Sequence, residues 1–298
     1  MQTNWDDMRL FLAVARENSL SAAGRVLRLD PATVGRRIQR LESTLQATLF
    51  VKSPQGYELT DAGTLLRDRA ELAERAMRAA VADLPAPSDQ LNGQIRIGAP
   101  DGAANFLLPQ VCAEISRANP DLDIQIVALP RVFNLSKREA DMAIAVSAPT
   151  AGRLIVQKIV DYQLHLAASE SYIADHPPID ALDDLPNHQI VGYIPDMIFD
   201  RELDYLADLG LKRVSLASNS LSVQFNFIRQ GAGIGIVHDF ALPSAPEVRP
   251  ILTDSIHLNR TFYMIRHEDD RRNIRLSRFA EALSLGLRNE VLRLESLT

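Results

Sequence analysis

The chain has 298 residues, 46% hydrophobic and 23% charged, proportions of a folded globular protein long enough for two domains or more. That balance excludes a disordered chain, a collagen-like fibre and a disulfide-dense secreted scaffold. Its net charge of -6 at pH 7 argues, as an average, against nucleic acid as a partner.

The N-terminal run MQTNWDDMRLFLAVA carries two acids where a signal peptide needs positive charge, and no stretch of the chain approaches the ~18 apolar residues of a membrane span. A cytoplasmic protein with no membrane partner is expected. Trp5, Met8, Leu12 and Ala15 recur at helical spacing. Ser19 and Ser21 follow as caps, and Ala22, Ala23, Val26 and Leu27 give a second apolar face. Asp30 then Pro31 restarts a helix, an N-cap acid before a proline at the first helical position. In that third helix Val34, Ile38, Leu41 and Leu45 fall at i, i+4, i+7 and i+11 and make one buried face. Thr33, Arg36, Arg37 and Arg40 project from other sides. Residues 49–59 read as two short strands around a Ser-Pro-Gln-Gly turn, and Thr60-Asp61 opens a long helix reaching to about Leu84. Pro85, Pro87, Ser88 and Asp89 then form a hinge-like linker.

The acidic average hides a basic segment. Residues 1–84 hold 12 Lys+Arg against 11 Asp+Glu, and between Arg25 and Lys52 there are six bases against two acids, Asp30 and Glu42. Two helices joined by the short Arg28-Leu29-Asp30 connection, the second one basic, match a helix-turn-helix whose second helix enters the DNA major groove. An arginine there reads guanine or holds a phosphate. The solvated face of an ordinary helix is the competing reading.

From Gly93 onward short β runs alternate with helical segments: QIRIG, DIQIVA, MAIAV, LHLAA, QIVGY, RVSLA, GIGIV and TFYMIR. The alternation points to parallel α/β sheets in two subdomains, closed by an amphipathic helix over 274–295. Cys112, the only cysteine, lies on an apolar helix face and reads as a buried small hydrophobe, with a redox sensor as the alternative. In two-lobed α/β domains ligands sit beyond strand C-terminal ends. That places Ala99, Pro100, Asp101 and Gly102 at a cleft mouth, with Arg131 and Ser147 after later strands. Tyr193, Asn219, Ser220 and His238 join them from the second lobe. Each also has a bland reading: a tight turn at Asp101-Gly102, a helix cap at Ser220, a structural histidine at His238. A ligand that turns a donor or positive group towards Asp101 is expected.

The run FLAVARENSLSAAGRVLRLDPATVGRRIQRLESTLQATLFVKSPQGYELTDAG resembles the winged helix-turn-helix of LysR-type transcriptional regulators. The later READMAIAV and RQGAGIGIV resemble the same family's effector domain. Three positions depart: Gly35 stands where the family usually has Ser, Gln46 replaces a usual Gly, and Lys52 replaces the usual wing Arg. The resemblance implies an α/β protein with an N-terminal all-α winged helix-turn-helix and a C-terminal two-lobed α/β effector-binding domain resembling periplasmic binding proteins. The expected boundaries are 1–60 for DNA binding, 61–84 for a dimerisation helix, 85–92 for a hinge and 93–298 for the effector domain. Lobe I takes about 93–161 and 267–298, and lobe II about 162–266. Ser21, Pro31, Ala32, Thr33, Gly35, Arg36, Arg37, Arg40 and Lys52 are the expected DNA-binding residues. The implied partners are double-stranded DNA with a pseudo-palindromic operator, a small-molecule effector and further copies of the chain as homodimer or tetramer, with RNA polymerase as a further candidate. The 60–84 stripe would pair protomers or else pack on its own chain.

No enzyme, cofactor or metal is expected. GAGIG at 231–235 lies between a helix and a strand, the wrong order for a dinucleotide loop. HEDDR at 267–271 has Arg271 where a zinc motif needs its second His, and no GxSxG is present. The alternative from another class is a cytoplasmic solute-binding-like protein, which the C-terminal part alone would suit. The basic N-terminal segment weighs against it.

Overall fold

Three helices open the chain, each started by a side chain that accepts a hydrogen bond from its own first turn. Asn4 caps α1 (Trp5–Glu17) through the Asp6 N–H at 3.0 Å, and Ser19 caps α2 (Leu20–Leu27) through the Ala22 N–H at 3.3 Å. Asp30 caps α3 (Pro31–Leu45), accepting from the Ala32 and Thr33 N–H groups at 2.9 and 3.3 Å. Ser21 is not a cap; it lies exposed within the first turn of α2. The computed structural model describes residues 4–53, 56–82, 90–128, 140–150, 152–209 and 213–298, which divide into two units, Met1–Leu84 and Pro85–Thr298.

In the first unit Phe11, Leu12 and Val14 of α1 meet Val34, Ile38 and Leu41 of α3 in a buried cluster. The ribbon follows as β1 (Phe50–Ser53) paired antiparallel with β2 (Gly56–Leu59), and α4 spans Asp61–Ala82. Phe50 anchors the ribbon against Phe11, with ring centroids 5.3 Å apart. At its near end the Tyr57 N–H donates to the Asn18 carbonyl at 2.9 Å. A Cβ on Gly56 would come within 2.3 Å of that carbonyl oxygen, and its φ of +128° also suits only glycine. Pro54 and Gln55 of the turn, and the proposed linker residues 85–89, lie outside the described residues.

Two acids tie α3 to its surroundings. Asp7 on α1, 6% exposed, receives Arg37 Nε at 2.6 Å and Arg40 Nη2 at 2.9 Å. Burial alone would push the Asp7 carboxyl up, but the hydrogen bonds from Arg40 and Arg37 outweigh it and hold the group below its usual range. Glu42 accepts from the N–H groups of Leu49 and Phe50 at 2.7 and 3.2 Å, fixing the start of the ribbon to the end of α3.

The second unit is built on one mixed sheet in the order β4-β3-β5-β11-β6-β9-β7-β8, with β10 alongside β6. Parallel pairing, as expected, joins β3 (Gly93–Ala99) to β4 (Leu122–Ala128) and β5 (Met142–Ala145), and β7 (Ile190–Gly192) to β8 (Leu216–Ala217) and β9 (Ile234–His238). Antiparallel pairing was not foreseen. It comes from β6 (Leu154–Ser169) and β11 (His257–His267), which run through both halves, and from β10 (Val248–Pro250). Their ladder breaks register at Phe262/Tyr263 opposite Ile159. The Ile159 carbonyl, freed by that bulge, accepts from Arg288 at 3.3 Å. Tyr263–Arg266 pair with β5 and so belong to the first half, against the expected boundary after residue 266.

Helices cover this sheet. After β3 come α5 (Asp101–Phe106), where a loop was expected, and α6 (Leu108–Ala118). The short α7 (Glu170–Asp175) follows β6, and α8 (Leu221–Arg229) precedes β9. The last helix, α9 (Ile274–Glu295), buries Phe279, Leu283, Leu287 and Val291 and packs on α6 and β6.

Two stability predictions follow from the first unit, where Trp5, the only tryptophan, reports unfolding. Gln46, the C-terminal cap of α3, has φ +53°, so Gln46→Gly removes backbone strain and stabilises the unit by about 0.5–1 kcal/mol, read by urea titration. Asp7→Asn destabilises it at pH 7 by about 1–2 kcal/mol through lost charged hydrogen bonds. Because the folded carboxyl sits below its usual value, that contribution is complete above the unfolded pKa and is lost as pH falls through the depressed folded one. Wild-type and variant stabilities should therefore converge in acid.

Candidate nucleic-acid interface and interlobe cleft

The face of the first unit that carries the start of α3 is where the expected DNA-binding residues fall. Ser21, Pro31 and Ala32 line an open depression together with Asn18, Ser19, Leu20, Gly56 and Tyr57, so the α2–α3 corner and the ribbon base form one surface. Thr33 is half-buried and accepts from Arg36 Nη2 at 3.2 Å, which steadies an otherwise exposed guanidinium one turn along α3. Lys52 is exposed on β1, and Arg25 and Arg28 are exposed at the end of α2. Three expected residues behave differently. Arg37 and Arg40 share the Asp7 carboxylate, which neutralises part of their charge and turns the half-buried Arg37 towards α1. Gly35 is half-buried, and a Cβ there would lie 3.3 Å from Leu20 Cδ1, so this position packs α3 on α2. Asp30 and Glu42, the two acids of the basic segment, each have one carboxylate oxygen engaged by two backbone N–H groups, Asp30 Oδ1 and Glu42 Oε1.

α4 packs on α1 through Leu66 and the buried Ala70, and Arg16 of α1 pairs with Glu74 at 2.7 Å. Leu65 and Met77 of the same helix remain exposed, so packing within the chain satisfies only part of its apolar stripe.

In the second unit, six of the ten expected cleft residues meet. Pro100, Asp101, Gly102, Tyr193, Asn219 and His238 line a small cavity of about 20 Å³ between the halves of the sheet. That space holds about one water. Ala99 is buried in the β3 core, and Arg131 lies outside the described residues. Ser220 caps α8 and donates to Asp101, as Ser222 does from both its N–H and its hydroxyl. Asp101 therefore has its donors from the protein, which removes the expected donor or positive group of a ligand. Ser147, next to the lining residue Val146, is not itself in the lining, and its hydroxyl donates to Asp200.

The cavity is small because a segment that sequence reading passed over fills it. Three 3-10 turns, Pro195–Met197, Arg201–Leu203 and Ala207–Leu209, carry Phe199, Leu203 and Tyr205 into its wall. Arg260 fastens this segment, with Nε 3.0 Å from the Glu202 carbonyl and 2.9 Å from its carboxylate. Behind it lies a larger cavity of about 250 Å³, which shares Tyr193, Leu203 and Tyr205 as walls. His238 is 4% exposed and stacks on Tyr162 at 5.3 Å; burial pushes its pKa down to about 3, so the ring is neutral. Burial likewise raises the Tyr193 and Tyr205 phenols. The hydroxyls of Tyr162 and Tyr205 and Nδ1 of His238 are buried without a hydrogen-bond partner.

The remaining motifs are structural. In GAGIG, Cβ atoms on Gly233 and Gly235 would meet the carbonyl oxygens of Gln189 and Val191 at 2.5 and 2.7 Å, so these glycines let β9 pack close to β7. Cys112 is buried, which pushes its thiol up to about 11 and leaves it a packing residue. Among the described residues no group of His, Cys, Asp and Glu could hold a metal ion, and no helix is long and apolar enough to cross a membrane.

Comparison with known proteins agrees with both units. The family described as "Bacterial regulatory helix-turn-helix protein, lysR family" matches residues 5–64, and "LysR substrate binding domain" matches residues 88–287. The HTH-type transcriptional regulator PtxR of Pseudomonas aeruginosa is 26% identical over 80% of this chain and 77% of its own. CrgA of Neisseria meningitidis serogroup C, also an HTH-type transcriptional regulator, is 22% identical over 98% of this chain and 99% of its own. Among solved structures, full-length CbnR complexed with its target DNA superposes with a TM-score of 0.69 at 16% identity, covering 95% of this chain and 100% of CbnR, and shows the shared fold. With helix-turn-helix and substrate-binding units both matched in order, the chain belongs to the LysR family of transcriptional regulators and is not an enzyme.

Proposed function

We propose that this regulator acts in the cytoplasm on double-stranded operator DNA, with α3 in the major groove, and that a small molecule in the interlobe cleft alters its action. The observation that carries the DNA reading is the charge left at the α3 face: Arg25, Arg28, Arg36 and Lys52 are exposed there, while Asp30, Glu42 and Asp7 are engaged internally. Exposed cations beside two helix N-termini attract phosphates, and Arg36, steadied by Thr33, is the candidate for reading a base edge. Ser21, Pro31, Ala32 and Thr33 would shape the approach to the backbone, with Lys52 on the flanking phosphates. Arg37 and Arg40 serve chiefly to orient α3. A solved relative bound to its target DNA supports the reading.

The exposed Leu65 and Met77 on α4 support a homodimer in which a second copy covers them. Paired α3 helices would then read a pseudo-palindrome with half-sites about one turn apart. A tetramer is the further assembly this reading allows, with RNA polymerase as a candidate partner at the promoter.

Selecting genomic fragments with the purified protein tests the reading: salt-resistant recovery of interrupted palindromes supports it, and sequence-blind, salt-sensitive capture sinks it. On the recovered operator, Arg36→Ala should cost ~1–3 kcal/mol and relax preference at one base position, measured by binding to operator and single-base variants. Equal weakening on operator and random DNA would reassign Arg36 to a phosphate. Leu65→Glu should shift the dimer towards monomer in light-scattering measurements at micromolar concentration while leaving the folded signal of Trp5 in place.

A further inference from the structure

The mouth of the interlobe cavity holds an anion that belongs to the chain. Oδ2 of Asp101, from the first residue of α5, accepts from the Ser222 N–H at 2.8 Å, the Ser222 hydroxyl at 3.0 Å and the Ser220 hydroxyl at 3.1 Å. The donors stand at the N-terminus of α8, where the helix dipole favours negative charge. The contact also crosses the domain, since β3 and α5 lie in one half of the sheet and α8 packs on β9 in the other. Gly102 lets the two sides approach, because a Cβ there would lie 2.9 Å from Leu221 Cδ2.

Among the described residues nothing else at the cavity offers an anion a positive partner. His238 is neutral and Arg260 is committed to Glu202. What the described walls do offer is apolar and aromatic surface with the polar side chains of Tyr193 and Asn219. A ligand carboxylate would have to displace a tethered one, which rebinds at high effective concentration.

We infer that Asp101 is a specificity-determining residue: an internal anion that fills the start of α8, clasps the two halves together and bars carboxylates, so that the effector is a small uncharged molecule with apolar surface and a hydrogen-bonding group. The inference rests on the reading of this cleft as the effector site and names the ligand class it accepts.

The test uses the full-length chain, with acetate and benzoate as probes and chloride as the ionic-strength control. Asp101→Ala empties the anion position. Its thermal midpoint should fall and be restored by acetate but not by chloride, and it should bind acetate and benzoate about tenfold or more tighter than wild type by calorimetry. Asp101→Asn, which keeps the position filled without charge, should gain no such affinity. If Asp101→Ala does not fold, Asp101→Ser carries the same comparison. Equal behaviour of wild type and the opened variant towards both probes, whether both bind or neither does, overturns the inference. DNA binding by the same proteins keeps the two readings apart. The clasp stands or falls on the carboxylate probes, whereas the effector reading falls only if no cleft ligand alters DNA binding.

Discussion

A carboxylate taken out of water must be met by donors, and in this chain the way that demand is met determines what each surface presents. Asp7 pairs with the half-buried Arg37 and the exposed Arg40, Asp30 is met by the amides that open α3, and Glu42 by the amides that open the ribbon. Arg25, Arg28, Arg36 and Lys52 remain exposed around α3, although residues 1–84 hold nearly equal numbers of acids and bases. In the second unit the same demand works across a greater distance. Asp101 finds its donors 119 to 121 residues away, and meeting them joins the halves of the sheet. Charge position, and not net charge, gives the α3 face its exposed cations.

The parts legible in the sequence were those fixed within a few residues. Helix caps at Ser19 and Asp30 depend on the next three amides, and the buried face of Val34, Ile38 and Leu41 depends on helical period alone. The ordered motif around them was long enough to indicate the family. Contacts with distant partners were not legible. Arg37 and Arg40 were expected as DNA contacts, and Asp7, 30 and 33 residues away, gives no local sign that it also pairs with them. Gly35 was expected among the DNA-binding residues, and nothing local shows that it also faces Leu20 on another helix.

The cleft was harder for the same reason. Strand ends were the guide to Pro100, Asp101, Gly102, Tyr193, Asn219 and His238, which line one cavity. The stretch 195–209 has neither helical nor alternating period, since its short 3-10 turns pack one residue at a time, so nothing flagged Phe199, Leu203 and Tyr205 as the cavity's filling. The first part of β6 was missed because VQKIVDYQ mixes charge with apolar residues, as a strand does when only part of it is covered.

The register of β6 and β11 also bears on how the protein is made. β11 lies between β5 and β6, so the first half of the sheet lacks a central strand until residues 257–267 have been synthesised. Residues 93–160 leave the ribosome with β5 and β6 unjoined, their edges open to wrong partners while about a hundred more residues are added. The first half cannot complete its sheet before the second has been synthesised. That step is held to the slow rates of pairings far apart in sequence.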